Sequence, residues 1–351
     1  MKATDLILTV LAGAILTGCS ATNRLSMTVT EPAAVSLPPE VQRVGIIDRS
    51  EPSEANRGLA KIDAILSAEG MQLDREGARA AVEGLAERLR LSGRFQVVVV
   101  LDSVPGVARG GKLMPTPLRQ QQLREICDAY GLDAVFSLSF YDTDTRVDLS
   151  LGMMEVPNDF GVSVRVPAHN LQLHTAIRKG WRIYLPQAPL PLDVMTYTET
   201  FRVGGQGINP VAALESIGLR KDLVMERSRR MGYGHAGRLE PTRVRVGRDY
   251  FVRGTDAFVT GRRLAQTGDW DGAANLWEQE VTHPKDKIAG RAHYNMAIIN
   301  EINGDLDAAL QWARDSYAQF GTREALRYLK ILEFRKEQQL QLEQQLSQLS
   351  W

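Results

Sequence analysis

The chain is poor in cysteine and histidine and carries no excess charge of either sign. Its 351 residues include two cysteines and five histidines, and 42 basic side chains balance 42 acidic ones. That balance gives no general attraction to nucleic acid or to acidic substrates. The histidines, His169, His174, His235, His283 and His293, show no zinc-ligand spacing. No Gly-x-Ser-x-Gly nucleophile elbow is present. Neither a metal nor a cofactor is expected, and without a catalytic set a non-enzymatic protein is expected. No apolar run reaches the ~20 residues that span a bilayer.

What is present begins at the N-terminus. Met1-Lys2 supplies a positive start, Leu6–Leu16 an uncharged apolar core, and Leu16-Thr17-Gly18-Cys19 a small-residue site. This is the layout of an export signal. The residues Leu16, Thr17, Gly18 and Cys19 resemble the lipobox of bacterial lipoproteins. The resemblance implies a signal peptide over 1–19, diacylglycerol on the Cys19 thiol, and the lipid bilayer as a partner. Ser20 is not acidic, so by analogy the expected location is the outer membrane, on its periplasmic side or at the cell surface. Cys127 is then the remaining thiol. It lies in the helical pattern Leu123–Tyr130 and reads as a small buried hydrophobe.

Residues 20–40 read as a tether with one strand-like stretch, Leu25–Val29, and with Pro32, Pro38 and Pro39 barring a helix. From 41 to 233 strands and helices alternate, the rhythm of an α/β domain. Val41–Ile47 reads as a strand, Leu73–Leu91 as a helix and Phe95–Leu101 as a central strand covered on both faces. A helix over Pro117–Tyr130 and a strand over Ala134–Phe140 follow. Leu171–Leu185 and Val194–Val203 suit a hairpin, and Pro210–Met231 returns to helix. Val44-Gly-Ile-Ile47, then Leu-Ser-Gly-Arg-Phe-Gln-Val-Val ending at Val98, then Tyr-Gly-Leu-Asp-Ala-Val-Phe ending at Phe136, are similar to the envelope α/β domain at the N-terminus of TolB. Curli-channel lipoproteins and penicillin-binding-protein activator lipoproteins look related. With Pro32-Ala33 and Leu37-Pro38 ahead of the first strand, the arrangement resembles an uncharacterised lipoprotein family with C-terminal tetratricopeptide repeats. The resemblance implies a sandwich-like α/β domain with a mixed sheet, then an all-α repeat domain.

An internal repeat supports the second half of that expectation. Gly268-Asp-Trp-Asp-Gly-Ala and Gly304-Asp-Leu-Asp-Ala-Ala share one register, 36 residues apart, close to the 34-residue tetratricopeptide period. Gly268 and Gly304 are expected at helix–helix turns, and the following Asp as a helix cap. Ala273 and Ala309 are expected where paired helices touch, and Gly261 and Ala297 at the small positions seven residues before each turn. The repeat domain is expected over 240–351, closed by a helix over Glu324–Leu349. Its groove is expected to take a peptide or helix from an unidentified envelope protein. Arg262, Arg263, His293 and Asn300 are the candidate lining. The expected function is a membrane-anchored interaction or assembly factor of the cell envelope. The competing expectation is an envelope enzyme or peptidoglycan-binding protein using the α/β domain.

The remaining motifs are weak. Gly106–Lys112 has P-loop spacing but is followed by Leu113 and two prolines, so a mobile crossing loop is expected. Gly232–Gly237 has dinucleotide spacing after a helix, so a helix stop is expected. Asp142, Asp144 and Asp148 lack a calcium loop's glycine and closing glutamate and are expected to be solvated turn residues. Ten arginines between Arg227 and Arg263 stand among Glu226, Glu240, Asp249 and Asp256. An ion-pair network is expected of them, ahead of docking to an anionic envelope surface.

Overall fold

The computed structural model describes residues 21–52, 61–102, 104–158, 160–218 and 220–349. Leu16, Thr17, Gly18 and Cys19 lie outside them. Contacts divide the chain into two compact units. One is Ala33–Glu240; the other joins the stretch up to Pro32 with everything from Pro241 onward.

The first strand, β1 (Thr22–Glu31), belongs to the second of these units. The 20–40 stretch, expected as a tether, therefore contains a ten-residue strand. Its alternation of exposed polar residues with buried Leu25 and Val29 is the period of a half-buried strand.

The α/β unit follows with β2 (Arg43–Asp48), α1 (Lys61–Leu91), β3 (Val97–Leu101), α2 (Gln120–Tyr130), β4 (Ala134–Pro157), β5 (Ser163–Tyr184), β6 (Asp193–Gly207), α3 (Pro210–Glu215) and α4 (Arg220–Ala236). Its sheet is mixed, in the order β3-β2-β4-β5-β6, with β2 parallel to both β3 and β4 and the later pairs antiparallel. Val44, Ile46, Phe136 and Leu138 pack on one face with Leu85 and Leu89 of α1 and Val224 of α4. Ile47, Leu101 and Val135 meet Leu123, Ile126 and Cys127 of α2 on the other. The parallel end is thus covered on both sides, which suits its continuous apolar strands.

Four expectations need correction. The Val97–Leu101 strand lies at the sheet edge, with Val100 36% exposed; a β-branched run reports strand propensity, not centrality. The third strand runs on to Pro157 after a bulge between Leu138 and Phe140, so Asp142, Asp144 and Asp148 stand on a strand, not in a turn. Helix 210–231 is broken at Ser216–Gly218, where Gly218 takes φ +38. Gly232 lies inside α4 rather than ending it. A Cβ there would overlap the Ala81 carbonyl, and one at Gly84 would overlap that of Arg229. These glycines serve the close crossing of α1 and α4.

The second unit resumes with β7 (Thr242–Phe251), antiparallel to β1 from Thr22↔Phe251 to Glu31↔Thr242. Two helical hairpins follow, α5 (Asp256–Gln266) with α6 (Trp270–Glu278) and α7 (Asp286–Ile302) with α8 (Leu306–Ala318), and then α9 (Arg323–Leu349). Gly268 and Gly304 take φ +88 and +83 between paired helices, a region that favours glycine. Asp269 and Asp305 cap the next helix, accepting from Gly272 N at 2.8 Å and Ala308 N at 2.9 Å. Ala273, Ala297 and Ala309 are fully buried. A Cβ at Gly261 would stand 2.6 Å from the Trp277 indole nitrogen.

Ala309→Leu is expected to overpack the α7–α8 contact and cost about 1–3 kcal/mol. An unchanged urea midpoint would contradict that packing.

Candidate functional site

The inward face of the β1–β7 ribbon packs on α7. Period-two alternation points Leu25, Arg248 and Tyr250 into the helices, all buried. Asn295 of α7, fully buried, holds the Phe251 main chain from both sides. It accepts from Phe251 N at 2.7 Å and donates to Phe251 O at 2.8 Å. Beside it Arg248 donates to both Glu301 oxygens at 2.7 Å, and the Tyr328 hydroxyl donates to Glu301 Oε2 at 2.6 Å. Burial and the Glu301 charge push the Tyr328 phenol well above its ordinary value, which keeps it a donor. A helical surface that grips an extended main chain thus holds a strand of its own chain.

This placement corrects the expected groove. His293 is buried, with its Nδ1 2.9 Å from Ala289 O and its ring 5.1 and 4.9 Å from those of Trp312 and Phe320. It is a packing residue, as the spacing of α7 dictates once Asn295 faces the ribbon. Asn300 is half-buried and turned back on its own helix, donating to Met296 O. Arg262 is half-buried and Arg263 exposed on α5. Asn295, Glu301 and Tyr328 were missed, and a buried polar residue inside an apolar helix was the available signal.

The α/β unit has two polar clusters. On the α2 side Arg49, 1% exposed, donates to Ala108 O at 2.8 Å and Thr116 O at 3.0 Å. Gly110 exchanges main-chain bonds with Arg49 and Glu51. The Gly106–Lys112 loop, expected to be mobile, is therefore fastened across the ends of β2 and β4 through the Gly110 N–H and C=O and the Ala108 carbonyl. On the α4 side Lys179 of β5 is fully buried, and its Nζ has no hydrogen-bond partner among the described residues. It lies 5.8 and 5.9 Å from the Trp181 and Tyr197 ring centres. His235 stacks on Trp181 and shares a 3.0 Å hydrogen bond with the Tyr197 hydroxyl. Burial pushes Lys179 down to about 7 against the pull of Glu199. Burial, with Lys179 and Arg238 nearby, pushes His235 down to about 3. A cavity of about 430 Å³ lies against Leu73, Leu214 and Ile217, and one of about 640 Å³ against Thr175, Phe201 and Arg227; Lys179 lines neither.

Much of the arginine cluster is paired within its own unit. Arg227 and Arg230 meet Glu199, Arg229 meets Glu87, Arg238 meets Asp193 and Arg248 meets Glu301. Asp142, 1% exposed on its side chain, pairs with Arg178 at 2.6 Å. Cys127 is buried, and burial followed by Asp128 and Asp133 pushes its thiol up to about 11. No group of three or more potential ligands gathers for a metal among the described residues.

Residues 41–251 match the family model described as Domain of unknown function (DUF8603), which is more than half of the chain. The chain belongs to this family. Residues 259–334 match a second model, Domain of unknown function (DUF6340). Together with the fold this makes an N-terminal α/β region followed by helices. No curated protein matches the chain. Among solved structures, the PelC dodecamer from Paraburkholderia phytofirmans aligns at TM-score 0.27 and 11% identity over 62% of this chain and 98% of that one. A variant PelC dodecamer from the same organism aligns at TM-score 0.26 and 10% identity, over 62% and 99%. Likeness at this level carries no functional weight.

Asn295→Ala should strand the Phe251 main chain and cost about 1–3 kcal/mol, and Glu301→Gln should cost about 3–5 kcal/mol by leaving Arg248 buried and unpaired. Asn300→Ala should stay within about 0.5 kcal/mol, as peripheral changes do. Equal urea midpoints for the three variants would remove the clamp from the account. The titration of Lys179 gives a separate expectation. Between about pH 7 and its ordinary 10.5 the unfolded chain holds a proton on Lys179 that the folded chain lacks, so stability rises with pH across that window and is lowest below it. Lys179→Met should add about 1–4 kcal/mol at pH 7 and flatten that rise. A pH–stability profile that keeps its slope would overturn the assignment.

Proposed function

We propose that the protein is a lipoprotein, acylated at Cys19, that acts as a non-enzymatic interaction or assembly factor of the cell envelope. The lipobox at Leu16–Cys19 supports the anchor. The TolB-like fragments fall at corresponding places, on β2, on the α1–β3 turn and on the α2–β4 turn. The 36-residue register with positive-φ turns at Gly268 and Gly304 supports tetratricopeptide repeats.

One observation carries the interaction reading. From Gly207, the last residue of β6, onward the β4–β5 pair continues as a two-stranded ribbon with no third strand beside it among the described residues. Leu151 is 80% exposed there, Phe160 90% and Val162 59%. Met153 and Val164 are exposed as well. Leu151 and Met153 stand on one face of this ribbon and Val164 on the other, with Phe160 and Val162 at its turn. A cluster of exposed apolar side chains around one ribbon tip favours a protein contact. The hairpins, whose α7 face already holds β7, serve in this reading as a brace for the chain's own ribbon. The enzyme alternative would need titratable groups converging in an open cleft, and the Lys179–His235 pair is enclosed.

Cys19→Ala should leave unprocessed precursor without an acyl mass, measured on the N-terminal peptide. Phe160→Asp with Leu151→Asp should abolish crosslinking to a specific envelope protein in cells while the melting temperature stays within a few degrees. Normal processing of the first variant would refute the anchor, and undiminished crosslinking by the second would refute the contact surface.

A further inference from the structure

Strand alternation separates two faces of the β1–β7 ribbon. The inward face is the packed one. The outward face carries Arg24, Ser26 and Thr28 on β1 and Arg243, Arg245 and Asp249 on β7, all exposed. These exposed residues are three cations and one carboxylate with two hydroxyls, and Phe251, which shares their parity at the end of β7, is buried. Arg24, Arg243 and Arg245 have no ion-pair partner among the described residues, unlike Arg227, Arg229, Arg230, Arg238 and Arg248. Of the ten arginines expected to form one network, five are thus paired with carboxylates, and Arg243 and Arg245 of this face are not.

The position of this face along the chain gives it an occupant. Cys19 precedes Thr22 by three residues, and an extended chain spans at most ~3.6 Å per residue, about 11 Å here. The attraction of a cation to an anionic surface extends over a Debye length, about 8 Å at physiological ionic strength. An acylated Cys19 would bring the start of the ribbon within about that range of the headgroups, and a ribbon lying along the surface would bring Arg245 and Arg243, opposite Thr28 and Thr30, there as well. We infer that the outward face of the β1–β7 ribbon, through Arg24, Arg243 and Arg245, seats on the anionic headgroups of the bilayer that holds Cys19. The inference rests on the lipoprotein reading. It adds that lipid charge, as well as the acyl anchor, holds this ribbon at the membrane. Basic side chains close to an anionic leaflet add electrostatic attraction to that of the lipid anchor.

The test imposes the anchor chemically, so that it does not depend on acylation in cells. The chain from Cys19 onward is coupled through that thiol to a maleimide lipid; Cys127, buried and with its thiol pushed up to about 11, stays unreactive. The vesicles contain phosphatidylglycerol, phosphatidylcholine and a trace of lipid with a photoreactive headgroup, and crosslinked peptides are mapped by mass spectrometry. Crosslinks are expected to concentrate in residues 21–31 and 242–253. They should fall at least threefold in 0.5 M salt, in pure phosphatidylcholine, and in the Arg24→Gln, Arg243→Gln, Arg245→Gln variant, whose melting temperature should match the parent. Crosslinks spread evenly over the chain, or unchanged in the variant, would overturn the inference and leave the anchor reading intact. Suppression of the crosslinks by soluble peptidoglycan fragments, with no dependence on phosphatidylglycerol, would overturn it in favour of the cell wall. Absence of acylation at Cys19 in cells would instead remove the anchor reading.

Discussion

The pairing of β1 with β7 is the constraint on which the helical unit depends. It joins Asn23 to Tyr250, 227 positions along the chain. Leu25 and Tyr250 enter one core with Trp277, Ala292 and Leu332 through this ribbon. Without it α7 would expose Asn295, Glu301 and a broad apolar face. Two helical hairpins are a short stack, and terminal repeats need covering. Here a ribbon drawn from both sides of an inserted unit does the covering, along with α9, whose Ala325, Tyr328 and Leu332 are buried.

The α/β unit follows a different economy. Its helices cross closely because Gly84 and Gly232 leave no side chain in the way, and Gly77 makes room for the Tyr141 ring of β4. Its polar groups are spent on geometry. Arg49 fastens a loop, Asp142 holds Arg178, and Tyr141 meets Ser228 across the sheet–helix boundary at 2.5 Å. Lys179 is different, a buried amine without a hydrogen-bond partner among the described residues that lowers stability at neutral pH. Buried polar groups of this sort are retained in some proteins for specificity at a cost in stability.

Local signals were legible and long-range ones were not. The turns at Gly268 and Gly304 and the buried alanines after them could be read because a repeat states the same local geometry twice. The strands of the sheet could be read from β-branched runs, but the run at Val97–Leu101 does not say that it is an edge. Asp142 looked like a turn residue because charge suggests solvent, and its partner Arg178 sits 36 positions away. The role of Leu25–Val29 was illegible for the same reason on a larger scale: a strand's partner is not encoded in its own pattern. Whether His293 packs or lines a groove is not legible either, because the helical phase does not say which face of α7 the ribbon claims.

The separation of β1 from β7 also bears on how the chain acquires its structure. Closing an unstructured loop of more than 200 residues costs about 5 kcal/mol in chain entropy, and slows the contact accordingly. The α/β unit removes most of that cost if it forms first, because its two ends are already side by side: Val35 donates to the Arg238 carbonyl at 2.9 Å. A long loop then behaves as a short one, and the ribbon can close as a hairpin would. The inserted unit acts as a folding template for the helical one, and a lesion in its core should appear first as helical hairpins that assemble late.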